Sequence, residues 1–502
     1  MDEGGSFLRR RLPIFYNALL LTGVNLLLRF VSTSFQVHIS GRIGATGVGL
    51  LQLVLSVGSL AMTAGMAGIR TATMYLTAEE LGKKRPGNVV WVLSGCFLYS
   101  ILCSGAIAFG LYHFAPVLAD KWIGDGRTVD AIRLFALFLP LTCLCGCMTG
   151  YFTAANRIGT LAAVEVAEQL CYMAITMTAL QLWAGTDPAK ACEAVIFGSG
   201  ISSSLTLITL VILRLRERSP IDRRIRIASR LMNTAVPLAL ADDLRAGIST
   251  TENLMVPKRL ALFPGELTPL ATFGTVCGMV FPVMMFPAAI LFALAELLIP
   301  ELARCAAAES HGRIRYLVRQ SLRICVLYGC LCCGVLITCA EDLCAALYKN
   351  AAAGDHLRRY SLMVPMLYCD AITDAMTKGL GQQKVCVRYN IITSFMDVLF
   401  LYLLLPRYGM DGYFFSFLIT HLLNFALSLR RLLKITGLKI PFYRPAMMCA
   451  ALVLAVAIAH FVTASILRAA IFIVSFICLL TLFRVVTRFD VIWVKGLIKK
   501  SR

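Results

Sequence analysis

Long apolar stretches alternate with short polar breaks along almost the whole chain, and this rhythm predicts membrane-crossing helices. The first stretch, Phe15 to Ser40, reads FYNALLLTGVNLLLRFVSTSFQVHIS. A bilayer core is crossed by about 20 apolar residues at ~1.5 Å rise each, so this stretch is long enough. About fourteen such runs follow one another, at 14–38, 47–77, 89–114, 131–155, 161–183, 191–213, 231–256, 270–298, 318–340, 358–379, 388–406, 411–430, 445–466 and 468–486. The pattern predicts an all-α polytopic membrane protein with about 14 transmembrane helices.

The longest and most basic polar break is RLRERSPIDRRIRIASR at 214–230. Six runs precede it, and six follow before a terminal pair. The expected organisation is an N-terminal lobe over 1–213, a basic cytoplasmic linker over 214–230 and a C-terminal lobe over 231–434. A helix pair with a basic tail then fills 435–502. A six-helix unit has both ends on one side, so two pseudo-symmetric six-helix lobes would repeat in parallel about the membrane normal. Pro140, Gly150 and Asn156-Arg157 in the fourth run echo Pro365, Gly379 and Gly381-Gln382 in the tenth.

Composition agrees with this pattern. The 502 residues are 58% hydrophobic and 15% charged, with a mean hydropathy of +0.76, against ~45–50% apolar and ~25% charged in soluble domains. A net charge of +20 would suggest nucleic acid in a soluble protein. Here the basic residues lie mainly between apolar runs, so membrane lipids, and no nucleic acid, are the expected partners. Basic residues favour every second break, as at Lys83 and Arg85, Arg157, the 214–230 linker, Arg304 and Arg313, Lys378 and Lys384, and Arg430 and Arg431. The tail from Arg488 to Arg502 is also basic. By the positive-inside rule both termini are cytoplasmic; Lys258 and Arg259 depart from the alternation. No A-x-A exit follows MDEGGSFLRRR, so the first run reads as a retained signal anchor.

The 19 cysteines lie mostly inside apolar runs, as in Cys143, Cys145 and Cys147, and again in Cys330, Cys332, Cys333 and Cys339. Neither cluster has histidines at zinc spacing, so they read as small packing residues.

Charges within apolar runs are the candidate chemistry. Arg29 and Asn25 lie near the middle of the first run. A central charge in a membrane helix costs at least ~2.5–3.5 kcal/mol, which suits a residue facing a protein interior or wet cavity. A guanidinium there can grip a pyrophosphate through paired charge-assisted bonds, or can pair with Asp242 or Glu168 to hold a lobe together. The seventh run is unusually polar, with Asp242, Asp243, Arg245, Ser249, Thr250, Thr251, Glu252 and Asn253, and reads as a cavity or interlobe wall. Pro237 and the flanking apolar runs argue against an amphipathic surface helix. In the fifth run, Glu165, Glu168 and Gln169 line a cytoplasmic mouth or pair with loop arginines. The eighth run carries Pro282, Pro287, Gly274 and Gly278, a hinge or a close-packed kink. No P-loop, HExxH or nucleophile elbow is present in a plausible loop, so no enzymatic activity and no ATP coupling are expected.

Several segments resemble a known family. GRIGATGVGLLQLVLSVGSLAMTAGMAGI (41–69) leading to AEELGKK (78–84), GYFTAANRIGTLAAVEVAEQL (150–170), AVPLALADDLRAGISTTENLMVPKRL (235–260) and FPVMMFPAAILFALAELLIPEL (281–302) look like the stage V sporulation protein B group. That group belongs to the polysaccharide-transport branch of the MATE-like multidrug/oligosaccharidyl-lipid/polysaccharide exporter (MOP) superfamily and is related to the lipid II flippases. The resemblance covers about residues 10–435 in order.

It implies alternating access and a polyprenyl-pyrophosphate-linked sugar as cargo, a precursor of peptidoglycan or of surface or spore polysaccharide. It also implies a bacterial cell membrane location and envelope-synthesis proteins as candidate partners. Arg29 occupies the place of a cavity arginine in the related flippases. Phe35 and Tyr172 stand where the family pattern carries further arginines. No bound cofactor is implied beyond a Na+ or H+ coupling ion, for which Asp243, Thr393, Asp397 and Thr420 are the nearest positional matches. Interhelical hydrogen bonding is the other reading of those four. The competing function is a cation-coupled multidrug exporter of the same superfamily, which the central arginine disfavours; a non-transporting scaffold is a third.

Overall fold

Every apolar run is built mainly of helix in the computed structural model, which describes residues 3–83, 85–184, 187–216, 227–439, 443–462, 464–483 and 485. Among these residues there is no strand. Part of the basic linker, with Arg218, Arg223, Arg224 and Arg226, and the tail from Arg488 to Arg502 lie outside the described residues, as do the side chains of Asn25 and Pro237.

The chain divides into two compact units, Met1–Gly274 and Thr275–Arg502. The first holds α1 (Glu3–Met66), α2 (Ile69–Gly82), α3 (Asn88–Val117), α4 (Val129–Ala154), α5 (Ile158–Ala179), α6 (Pro188–Leu215), α7 (Ala228–Leu260) and the short α8 (Pro269–Phe273). The second holds α9 (Phe281–Met285), α10 (Ala288–Ala307), α11 (His311–Thr338), α12 (Ala340–Tyr348), α13 (Ala353–Ser361), α14 (Val364–Gly379), α15 (Gln383–Thr436), α16 (Tyr443–His460) and α17 (Ser465–Leu482).

Two of the predicted breaks are kinks within continuous helix. α1 turns at Gly44 (φ +71°) and α15 at Gly409 (φ +58°). Glycine takes the left-handed conformation without a Cβ penalty, so each helix becomes two rods with no loop between them. A third break, at Ala67 and Gly68 (φ +44° and +71°), separates α1 from α2 inside the predicted run 47–77. In the predicted eighth run, the segment Pro269–Met285 meets Ala288–Ala307 at a 62° bend. The bend falls at Pro287, which cannot donate a backbone hydrogen bond.

Among the described residues, eight helical spans are long and apolar enough to cross a membrane, or nine with that bent pair. This is the all-α, multi-pass architecture that the hydropathy pattern predicts. α7 is not among the eight, because its polar residues dilute the apolar ones.

A buried cluster holds the first unit together. Ile69 and Leu76 of α2, Val92 of α3, Met148 and Phe152 of α4, and Leu210 of α6 are each at most 2% exposed within it. Leu231 and Ala235 bring the first turns of α7 into the same cluster. Gly150 lets α4 approach α2 closely, since a Cβ there would collide with the backbone carbonyl of Arg70, and Gly146 makes room for the Met66 side chain of α1. The cysteines are free thiols, most of them buried, including Cys143, Cys145 and Cys147 on α4.

Candidate substrate cavity

Because α2 starts afresh after the break at Ala67 and Gly68, its first turn projects polar side chains beside the end of α1. A cavity of about 450 Å³ opens there within the first unit. Its wall combines Ser59, Met62, Thr63 and Met66 of α1, Gly68 to Thr71 at the start of α2, and Asp242, Arg245, Ala246 and Ser249 of α7. The α7 residues recur at three- and four-residue spacing, which puts them on one helical face.

Two arginines line this space, Arg70 and Arg245. Neither forms a hydrogen bond or an ion pair among the described residues. The one carboxylate in the lining is Asp242. Behind Arg70, Glu165 of α5 is close enough to feel its charge and that of Glu168. Glu168 itself accepts a hydrogen bond from Ser203 Oγ at 2.9 Å, which ties α5 to α6. The close approach of α4 and α2 at Gly150 fixes the backbone from which the Arg70 side chain reaches out.

Both ends of α7 are anchored within the unit. Near its start, Arg230 donates to Glu80 Oε1 at 2.9 Å and Glu79 Oε2 at 2.6 Å. Beyond the cavity, Thr250 Oγ1 donates to the Ser56 carbonyl and Asn253 Nδ2 to Ser56 Oγ, each at 3.0 Å.

The predicted site residues therefore separate. Asp242 and Arg245 line the cavity. Asn253 pins α7 to α1, and Glu252 is half-buried beside it. Asp243 turns away from the lining; one of its oxygens is buried with no hydrogen-bond partner among the described residues. Arg29 is exposed on α1 and is not in the described lining. The two departures from the family pattern, Phe35 and Tyr172, meet edge to face at 5.3 Å.

Of the proposed cation set, Asp397 and Thr420 come together: Ser416 Oγ and Thr420 Oγ1 lie 2.6 Å and 3.3 Å from Asp397 Oδ1 and donate to it. Thr393 instead donates within its own helix, to the Tyr389 carbonyl at 3.0 Å, and Asp243 belongs to the other unit. Nearby, Asn424 Nδ2 donates to both oxygens of Asp370, at 3.0 and 3.1 Å, and His421 Nδ1 lies 3.8 Å from Asp370.

Sequence reasoning missed Arg70, together with the hydroxyls of Ser59, Thr63 and Thr71. A signal was present, since Arg70 interrupts an apolar run just as Arg29 does.

The chain as a whole is similar to known carriers. Residues 22–182 match the MatE family model. Stage V sporulation protein B of Bacillus subtilis (strain 168) is 20% identical over 404 residues, which is 78% of this chain and 77% of that protein. An inward-facing multidrug resistance MATE family transporter of the MOP superfamily aligns with a TM-score of 0.67 at 10% identity, over 84% of this chain and 98% of that one. Lipid II flippase MurJ in an inward closed conformation aligns with a TM-score of 0.68 at 11% identity, over 93% of this chain and 98% of that one. Fold and matches together show a multi-pass, all-α membrane protein whose fold is that of the MATE family transporter and the lipid II flippase it resembles. The chain matches the MatE model over its first third and is similar to stage V sporulation protein B over most of its length.

Proposed function

We propose that this protein is a flippase for a polyprenyl-pyrophosphate-linked sugar, working by alternating access in the bacterial cell membrane with both termini in the cytoplasm. The observation that carries the reading is the pair of arginines in one cavity, Arg70 and Arg245, neither held by a carboxylate within ion-pair distance. A guanidinium presents a planar fork of donors that matches phosphate oxygens, and it stays charged at any accessible pH. The hydroxyls of Ser59, Thr63 and Ser249 in the same wall supply the neutral donors and acceptors that a sugar needs. The polyprenyl tail stays in the bilayer while the head group crosses. A Na+ or H+ ion is the coupling partner in this reading, with Asp397 as its first candidate ligand.

A second reading, a cation-coupled multidrug exporter, is favoured by Asp242 in the same lining and by the likeness to MATE transporters. One binding experiment separates the two. Purified protein in mild detergent is titrated with a polyprenyl-pyrophosphate-linked disaccharide and, separately, with tetraphenylphosphonium. The flippase reading expects the lipid-linked sugar to bind at least ~100-fold tighter, about 2.7 kcal/mol. The reverse order overturns it in favour of the exporter.

A further inference from the structure

α11 is longer than the membrane it would cross, and its surplus is basic. Its 28 residues span about 42 Å at ~1.5 Å each, and a hydrocarbon core is only ~30 Å thick. No charged residue lies between Ile324 and Thr338, while Arg313, Arg315, Arg319 and Arg323 crowd the other end. A core of about 20 residues counted back from Thr338 ends near Arg319, so Arg315 and Arg319 stand at head-group depth. Arg315, Arg319, Arg323, Cys330 and Gly334 share one side of the helix, at four- and seven-residue spacing. The deeper part of that side is covered by the terminal helix pair. Phe472 of α17 packs where a Cβ on Gly334 would stand, and Arg468 Nη1 donates to the Thr338 carbonyl at 3.0 Å. The described cover ends at Val485, whose carbonyl accepts from Arg323 Nη2 at 2.6 Å. Beyond it Arg315 and Arg319 are exposed, with no hydrogen bond or ion pair among the described residues; Arg313, by contrast, is paired with Glu301 at 2.7 Å. Tyr316, 55% exposed, flanks them, an amphipathic ring of the kind that settles at head-group level. The chain that follows Val485 is a poor cover for this patch, since Arg488, Lys495, Lys499, Lys500 and Arg502 outweigh Asp490 and like charges repel.

We propose that Arg315 and Arg319 form a binding site for the head group of an anionic phospholipid, such as phosphatidylglycerol, on the side of α11 that the terminal pair leaves bare. The two guanidiniums stand one helical turn apart and donate to the phosphodiester oxygens, with Tyr316 beside the glycerol. The acyl chains run past the exposed Leu482, Ile477 and Ile473 of α17 toward the middle of the bilayer. This site shares no residue with the cavity of the first unit, and the proposal stands whether or not the flippase reading does.

The test is native mass spectrometry of the full-length protein, titrated in mild detergent with phosphatidylglycerol and, separately, with phosphatidylethanolamine, which carries a phosphodiester but no net charge. The wild type is expected to bind its first phosphatidylglycerol about tenfold tighter than its first phosphatidylethanolamine. Arg315→Gln with Arg319→Gln should erase that preference, and Arg315→Lys with Arg319→Lys should keep part of it. Arg430→Gln with Lys434→Gln removes the same charge, also one turn apart, from an exposed stretch of α15, and should leave the affinity within about twofold. Equal affinity of the wild type for the two lipids overturns the proposal, as does an unchanged preference in the double glutamine variant. So does an equal loss in the α15 variant, which would mean diffuse attraction to basic surface. Displacement of phosphatidylglycerol by soluble glycerol 3-phosphate would make the occupant a free phosphate ester and also overturns it. Should the double glutamine variant not be monodisperse, Arg315→Gln and Arg319→Gln singly are each expected to lose about threefold, and wild-type binding in both overturns the proposal.

Discussion

In the first unit, Arg70 and Arg245 reach a cavity with no hydrogen-bond or ion-pair partner among the described residues. In the second, Asp397 accepts from Ser416 and Thr420, and Asp370 accepts from Asn424. Both sets are polar residues in the helices of a multi-pass membrane protein, where an unmatched polar group within the bilayer is costly. The carboxylates are matched inside the protein, and their bonds join one helical rod to the next. In the flippase reading, the arginines are left for a group that is not part of the chain. Charge in an apolar run is therefore two different signals, and the partner inventory tells them apart.

The strongest test of this contrast removes the open charges. Each charge-assisted bond is worth ~1.5–3 kcal/mol, so the double variant Arg70→Ala and Arg245→Ala should weaken lipid-linked sugar binding by more than about 100-fold. Because neither side chain holds a partner, the melting temperature should move by less than ~2 °C. A large loss of stability with binding intact would invert the comparison.

A medium effect is expected where packing presents Arg70. Gly150→Val would push the start of α2 away from α4, at a cost of ~1–3 kcal/mol for overpacking. Thermal unfolding should show this as a lower melting temperature, accompanied by a several-fold loss of binding.

The smallest effect on binding is expected in the second unit. Asp397→Asn should reduce stability by ~1 kcal/mol and leave lipid-linked sugar binding within about twofold. Flux assays with and without a sodium gradient sharpen the point: a variant that has lost sodium dependence would move Asp397 from holding helices to coupling transport.

Much of the fold was legible because hydropathy is a local property. Each apolar run is mostly helix, and the connections near residues 44 and 409 were marked by glycine, although they bend without unwinding. The break at Ala67 and Gly68 was harder to see, since the residues on either side are equally apolar. That break is what brings Arg70 to the cavity, so missing one meant missing the other. Asp242 and Arg245 were legible from the density of polar residues in α7. The bridge from Arg230 to Glu79 and Glu80 joins residues about 150 positions apart. Its members look like ordinary charges at helix ends until the helices are packed. Phe35 and Tyr172 were noticed only as departures from a pattern; their contact is a tertiary fact.

The polarity of α7 also bears on how the protein is made. This helix falls short of the apolar content of the eight spans that qualify on their own, so a translocon meeting it alone would have little reason to release it into lipid. Its Arg230, Thr250 and Asn253 find their matches on α1 and α2, which leave the ribosome first. Integration of α7 is then a templated event: the earlier helices must already be waiting in the bilayer to receive it, and a chain lacking them would leave this segment in water.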